Sequence, residues 1–182
     1  GRGSTFKLIV DLALKRLPKR DIPVIIETGT MRPHKTRPLN WAGDGCSTVI
    51  FSELAEYLDA TFFSVDLSEE NIKFAVSRTT KPGNFIVSDS IEFLQNFDKP
   101  IDLLYLDSYD FDPSDPLPAQ QHNLKEFQAA EEMLHGESIV AIDDSHGSFE
   151  QPSGKIGLTL PYMLKKGWKC LMYYRQAVLI KG

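Results

Sequence analysis

Residues 24–48, VIIETGTMRPHKTRPLNWAGDGCST, limit what this chain can fold into more than any other stretch. They open on Val24-Ile25-Ile26, and Glu27 ends that run. So short and β-branched a run predicts a strand buried on both faces, as in parallel sheets. Gly29 follows at once, and Gly43 and Gly45 come later. After Cys46-Ser47-Thr48 the apolar residues Val49, Ile50, Phe51, Leu54, Ala55 and Leu58 recur at helical spacing. Ser47 or Thr48 is placed to cap that helix. Strand, glycine-rich turn and helix N-terminus together make a nucleotide-type site. Glycine lets backbone N–H groups approach a ligand, and a helix N-terminus favours negative charge. Two common versions are excluded. Residues 30–42 separate the glycines too widely for GxGxxG, and no Gly-Lys-Ser/Thr makes a P-loop.

The rest of the chain alternates strand and helix. Residues 6–17 form an amphipathic pattern ahead of the first strand. Strands are expected at 61–65, 85–87, 101–106 and 138–142. Helices are expected from Ser68 to about Arg78, after Ser90 to about Phe97, over 119–134 and over 155–166. Residues 108–118, rich in Asp and Pro, and residues 147–154 read as loops. Two closing strands, 168–175 and 177–180, read as a hairpin. Such alternation implies an α/β fold with a parallel sheet, to which the hairpin adds one antiparallel strand. With 182 residues the chain reads as a single domain, with residues 1–5 as a tag remnant or disordered start.

Every expected parallel strand ends on an acid: Glu27, Asp66, Asp89, Asp107 and the pair Asp143-Asp144. Ligands of open α/β sheets sit at those ends. Asp66 is placed to accept the two hydroxyls of a ribose. Asp89 either meets an adenine or caps the helix behind it. Glu27 either orders the glycine turn or reaches the cofactor.

Glu27, Gly29 and the Gly43-x-Gly45-x-Ser47 turn resemble motif I of the class I S-adenosylmethionine (SAM) methyltransferases. The small O-methyltransferase branch is the most similar, and 30–42 are an insertion relative to its compact motif. That resemblance implies a Rossmann-like seven-stranded sheet in the order 3-2-1-4-5-7-6, strand seven antiparallel, with helices on both faces. It implies SAM as cofactor, held by Glu27, Thr28, Gly29, Thr30, Gly43, Gly45, Ser47, Asp66, Ser88, Asp89, Ser90 and Asp107. Asp107, Asp143 and Asp144 resemble the metal set of catechol-type O-methyltransferases. This implies Mg²⁺ or another divalent cation that activates a substrate hydroxyl. Asp107-Ser108-Tyr109-Asp110 and the segment from Gln121 to Phe127 are similar to macrocin-type sugar O-methyltransferases. Candidate bases are His122, Lys125 and His146.

The expected activity is therefore metal-assisted O-methylation of a hydroxylated small molecule. The alternatives are a non-catalytic SAM-fold module, a hydroxylase-like relative, or a nucleotide-sugar or NAD enzyme on a doubly wound sheet. Net charge of -5 argues against general nucleic-acid binding. Cys46 and Cys170 show no disulfide pattern, which fits a reducing, cytoplasmic setting. No apolar run approaches the roughly 18 residues that span a membrane. A homodimer is an open expectation. Residues 30–42, with Arg32, His34, Lys35, Arg37 and Trp41, read as a lid over the cofactor or a grip on an anionic substrate.

Overall fold

The computed structural model describes residues 2–33, 46–81 and 83–182. Among them the strands are β1 (Val24–Thr28), β2 (Thr61–Asp66), β3 (Asn84–Val87), β4 (Ile101–Leu106) and β5 (Leu134–Ile142). Next come β6 (Ser145–Gly147), β7 (Pro152–Gly154), β8 (Trp168–Tyr173) and β9 (Ala177–Lys181). Seven strands form one sheet in the order β3-β2-β1-β4-β5-β9-β8, while β6 and β7 pair only with each other. The first five are parallel, and β9 runs antiparallel to both β5 and β8. This is the expected arrangement, with the closing hairpin supplying the sixth and seventh strands.

Sequence explains which strands are central. All five residues of β1 and all six of β4 are buried, and both lack the polar alternation of a half-exposed strand. β3 lies at the edge and has no buried residue. Within each strand successive side chains enter opposite layers. Ile25, Leu103 and Tyr105 meet Phe6, Ile9 and Phe51 of α1 (Arg2–Arg16) and α2 (Ser47–Tyr57). Ile26, Leu104 and Leu106 meet Leu94, Phe127 and Leu160 of α4 (Ser90–Gln95), α5 (Leu117–Ala130) and α6 (Thr159–Lys165). α3 (Glu69–Arg78) packs against β2 and β3.

Three boundaries differ from expectation. Residues 2–5, read as a tag remnant or disordered start, form the first turn of α1, with Thr5 buried. The helix expected over 119–134 stops at Ala130, and a 3-10 turn leads into β5 at Leu134. There the Ser138 hydroxyl accepts the His135 N–H and donates to the Ile101 carbonyl, which ties the start of β5 to β4. The loop expected at 147–154 forms part of the β6–β7 hairpin.

At the N-terminal edge of the sheet Asp102 is 1% exposed and accepts the Val24 N–H at 2.8 Å. Its other oxygen meets His135 Nε2 at 3.1 Å and Arg20 Nε at 3.3 Å. Asp102→Ala leaves a buried N–H without an acceptor and removes the partner of Arg20 and His135. It is expected to lower unfolding free energy by about 1–3 kcal/mol. Urea denaturation measures this, and an unchanged midpoint would show the contact to be neutral.

Candidate functional site

A cleft of about 390 Å³ opens at the C-terminal ends of the parallel strands. One wall begins at Gly29, whose φ is +79° and whose N–H donates to the Val65 carbonyl. A Cβ there would lie 2.6 Å from the Asp107 carbonyl oxygen, so only glycine lets this turn pass the end of β4. The chain then turns so that the Thr30 N–H donates to Asp66 Oδ2 at 3.1 Å. Asp66 Oδ1 accepts from the Ser68 N–H and the Asn71 amide at the start of α3. Three bonds orient this carboxylate, which lines the cleft and keeps acceptor capacity for a ligand hydroxyl.

Glu27 is fully buried and lies behind the wall. Its oxygens accept from Ser47 at 2.5 Å, Thr48 at 2.7 Å and Ser64 at 2.8 Å. It thus fixes the start of α2 through side-chain hydroxyls, while the Gly43–Gly45 turn that it was expected to order lies outside the described residues. The expected caps are corrected with it. Ser47 and Thr48 lie inside the helix with their hydroxyls on Glu27, while Cys46, at φ 49°, occupies the cap position. Burial pushes the Glu27 carboxyl up to about 7, against the lowering effect of the three hydroxyls.

The opposite wall carries His122. Its Nε2 lies 2.9 Å from Ser108 Oγ and 3.2 Å from Ser90 Oγ. The Ser108 hydroxyl donates to Glu126 Oε1 at 2.6 Å. With its proton so committed, Ser108 accepts from Nε2–H, which leaves Nδ1 as the basic ring nitrogen. Glu126 is fully buried, and its Oε2 has no hydrogen-bond partner among the described residues. The Tyr109 ring lies 5.2 Å from the imidazole.

The floor is made of acids and two cations. Lys155, 2% exposed, donates to Asp107 Oδ1 at 2.7 Å and to the Asp107 carbonyl at 3.1 Å, and pairs with Asp144 Oδ2 at 3.3 Å. Asp143 accepts from Tyr105 at 2.8 Å and from the Asp144 N–H at 2.7 Å, and pairs with Arg2 at 3.3 Å. Burial works against the Lys155 charge, but Asp107, Asp144 and Asp143 hold its pKa above the usual lysine value. Burial pushes Asp107 up to about 8, with Lys155 pulling it down and Asp143 and Asp144 adding to the rise. An ammonium held so firmly at 2.7 Å keeps its partner ionised, so the upward push on Asp107 expresses the cost of burial.

The expected site residues separate accordingly. Gly29, Thr30, Ser47, Asp66, Ser88, Ser90, Asp107, His122 and Asp144 line one cleft. Thr28 is buried in β1, outside the lining. Asp89 caps α4 through the Ile91 and Glu92 N–H groups, the second of its two expected uses. Lys125 points to solvent; Glu126, one residue on, shares the His122 face. His146 lies in a second cavity of about 520 Å³, stacked on Phe111, and Asp144 lines both that cavity and the first cleft. Gly43 and Gly45, with 34–42 of the expected lid, lie outside the described residues. Asp107, Asp143 and Asp144 converge as expected, but Lys155 and Arg2 engage them. No group of three His, Cys, Asp or Glu among the described residues is arranged to hold a metal ion. With Lys155 and Arg2 paired to them, these acids as arranged do not present a site for the expected divalent cation. Sequence reading missed Lys155, Arg2, Ser108 and Glu126. Only Glu126 carried a local signal, its four-residue spacing from His122.

The sequence matches no protein-family model and no curated protein. Its fold matches solved structures. SMU.1697c from Streptococcus mutans, in complex with S-adenosylhomocysteine (SAH), is 16% identical at TM-score 0.61, with 97% of each chain covered. The N-methyltransferase NodS from Bradyrhizobium japonicum is 10% identical at TM-score 0.59, covering 99% of this chain and 96% of its own. An rRNA methylase from Streptococcus thermophilus is 11% identical at TM-score 0.59, covering 96% and 94%. The chain therefore has the Rossmann-like fold of SAM-dependent methyltransferases. No described helix is long and apolar enough to cross a membrane.

Glu27 gives the site a pH signature. Its folded pKa of about 7 exceeds the ordinary 4.5, so the protonated form stabilises the fold. That contribution is complete below pH 4.5 and is lost as pH rises through 7. It is worth about 3 kcal/mol at 1.4 kcal/mol per pH unit. Glu27→Gln, which does not titrate, is expected to lose stability at low pH and to lack this downward slope. Denaturation of both proteins at several pH values between 4 and 8 tests it. Parallel slopes would show that Glu27 titrates normally.

Proposed function

We propose that this chain is a SAM-dependent methyltransferase that methylates a hydroxyl oxygen of a small molecule, with His122 as base. The observation that carries the reading is Asp66. It ends β2 in the cleft, beside the Gly29 turn, oriented by three hydrogen bonds and with acceptor capacity left over. One ribose hydroxyl matches the acceptor site left on Oδ2. The SAH complex of SMU.1697c, on the same fold, supports an adenosyl ligand.

In this reading Asp66 takes the ribose, and Ser88 and Ser90 border the adenine. The start of α2 at Ser47, which lines the cleft, borders the methionine end of the ligand. Glu27 acts through Ser47 and Thr48, keeping the start of α2 in place. The acceptor hydroxyl attacks the methyl carbon of the sulfonium. A C–O bond forms, the C–S bond breaks with its electron pair going to sulfur, and SAH leaves. The hydroxyl proton passes to His122, whose orientation Ser108 and Glu126 fix. No step passes through a metal ion, since the acids that would hold one are engaged by Lys155 and Arg2.

Oxygen is favoured as the acceptor atom because a hydroxyl needs a base at neutral pH, and His122 with a buried carboxylate behind it is built as one. Net charge of -5 favours a small acceptor over nucleic acid. The fold alone does not choose, as NodS is an N-methyltransferase.

Calorimetry with SAH and with NAD tests the cofactor. Binding of SAH but not NAD is expected, and Asp66→Ala is expected to weaken SAH by about 1.5–3 kcal/mol. Failure of the folded protein to bind SAH would reject the reading. Transfer of labelled methyl from SAM to catechols and sugars then tests the acceptor. His122→Gln is expected to lower kcat about 10²–10⁴-fold with SAH affinity retained. An unchanged kcat would remove His122 as base.

A further inference from the structure

Three carboxylates meet at the ends of β4 and β5, and the cation among them is a side chain. Asp107, Asp143 and Asp144 repel one another and are costly to desolvate together. We propose that the Lys155 ammonium is the resident counter-ion of this cluster, filling within the fold the place that a hard divalent cation would otherwise take. The wild-type protein therefore neither binds nor needs such a cation there.

The donor count supports this. An ammonium has three N–H donors on a compact head. Lys155 has three oxygens within 3.3 Å: Asp107 Oδ1, the Asp107 carbonyl and Asp144 Oδ2. A carboxylate pair with a backbone carbonyl is also the oxygen set that suits Mg²⁺ or Ca²⁺. Its donors satisfied, Lys155 has none left to polarise a substrate.

The backbone delivers Lys155 by an independent contact. The Lys155 N–H donates to the Asp144 carbonyl at 3.0 Å. Gly154, at φ +75°, immediately precedes it, and a Cβ there would lie 1.9 Å from that same carbonyl oxygen. Only glycine brings the β6–β7 hairpin this close to the end of β5. The side chain and the main chain of this turn thus converge on Asp144. Arg2 supplies the second positive charge, on Asp143 and, at 3.7 Å, on Asp144.

Removing the ammonium should turn the cluster into a cation site. The inference does not depend on methyl transfer, because its readouts are ion binding and folding. Mn²⁺ is the probe, followed by electron paramagnetic resonance and by thermal unfolding. Wild type is expected to leave Mn²⁺ free and its melting temperature unmoved. Lys155→Met is expected to bind one Mn²⁺ per chain, about 10- to 1000-fold more tightly than wild type. That is the range by which one nearby charge moves a carboxylate's proton affinity. Mn²⁺ should also raise the variant's melting temperature, and adding Asp144→Asn should abolish both effects. If Lys155→Met does not fold alone, recovery of the fold on refolding with Mn²⁺ supports the proposal, and no recovery overturns it. It is also overturned if wild type binds one Mn²⁺ that Asp107→Asn removes, since the lysine would then yield the site to metal. A folded Lys155→Met that ignores Mn²⁺ overturns it too, because the acids would not be an ion site at all.

Discussion

The ion pair between Lys155 and Asp107, with Asp144 beside it, is the interaction on which the rest of the cleft depends. Neighbouring parallel strands run about 4.8 Å apart, so acids at the ends of β4 and β5 are forced together. Without a cation between them the fold would bear both their desolvation and their repulsion. The β6–β7 hairpin exists at this point to bring one in. Because Lys155 binds both the carboxylate and the carbonyl of Asp107, it also fixes the start of the segment that carries Ser108 and Tyr109. Those residues in turn meet His122. The Gly29 turn packs on the same Asp107 backbone, so both walls of the cleft share one fixed floor.

Acids of one type serve different ends here because their surroundings differ. Glu27 is sealed behind three hydroxyls and braces a helix. Asp66 faces the cleft with capacity to spare. Asp89 is spent on a helix cap. Asp143 is surrounded by Tyr105, Arg2 and a backbone N–H, and Gln176 fixes the tyrosine hydroxyl from behind at 2.7 Å. Position at a strand end makes an acid available; partners decide whether it is free to meet a ligand.

Much of this was legible in the sequence. Val24-Ile25-Ile26 and the residues of β4 declare central strands, and the alternation of strands with helices declares a parallel sheet. Strand order is not a property of local pattern and came from the resemblance at residues 24–48. The convergence of Asp107, Asp143 and Asp144 was also legible, since each ends a strand. What neutralises them was not. Lys155 opens the 3-10 turn ahead of α6, 48 positions beyond Asp107, and a lone lysine after a glycine carries no periodic signal. A cation was expected beside these acids, and among the described residues the cations that pair with them are Lys155 and Arg2. Lys125, three residues on from His122, is exposed, whereas Glu126, four residues on, lies against the imidazole.

The central claim is that the strand-end acids are neutralised from within, leaving the cleft to an adenosyl ligand. The most direct measurement is a crystal structure grown with both SAH and Mn²⁺, with data collected at the manganese absorption edge. The account predicts SAH in the cleft with its ribose on Asp66, Lys155 between Asp107 and Asp144, and no anomalous peak among the acids. A manganese peak bound by Asp107, Asp143 and Asp144, with Lys155 displaced, would contradict it.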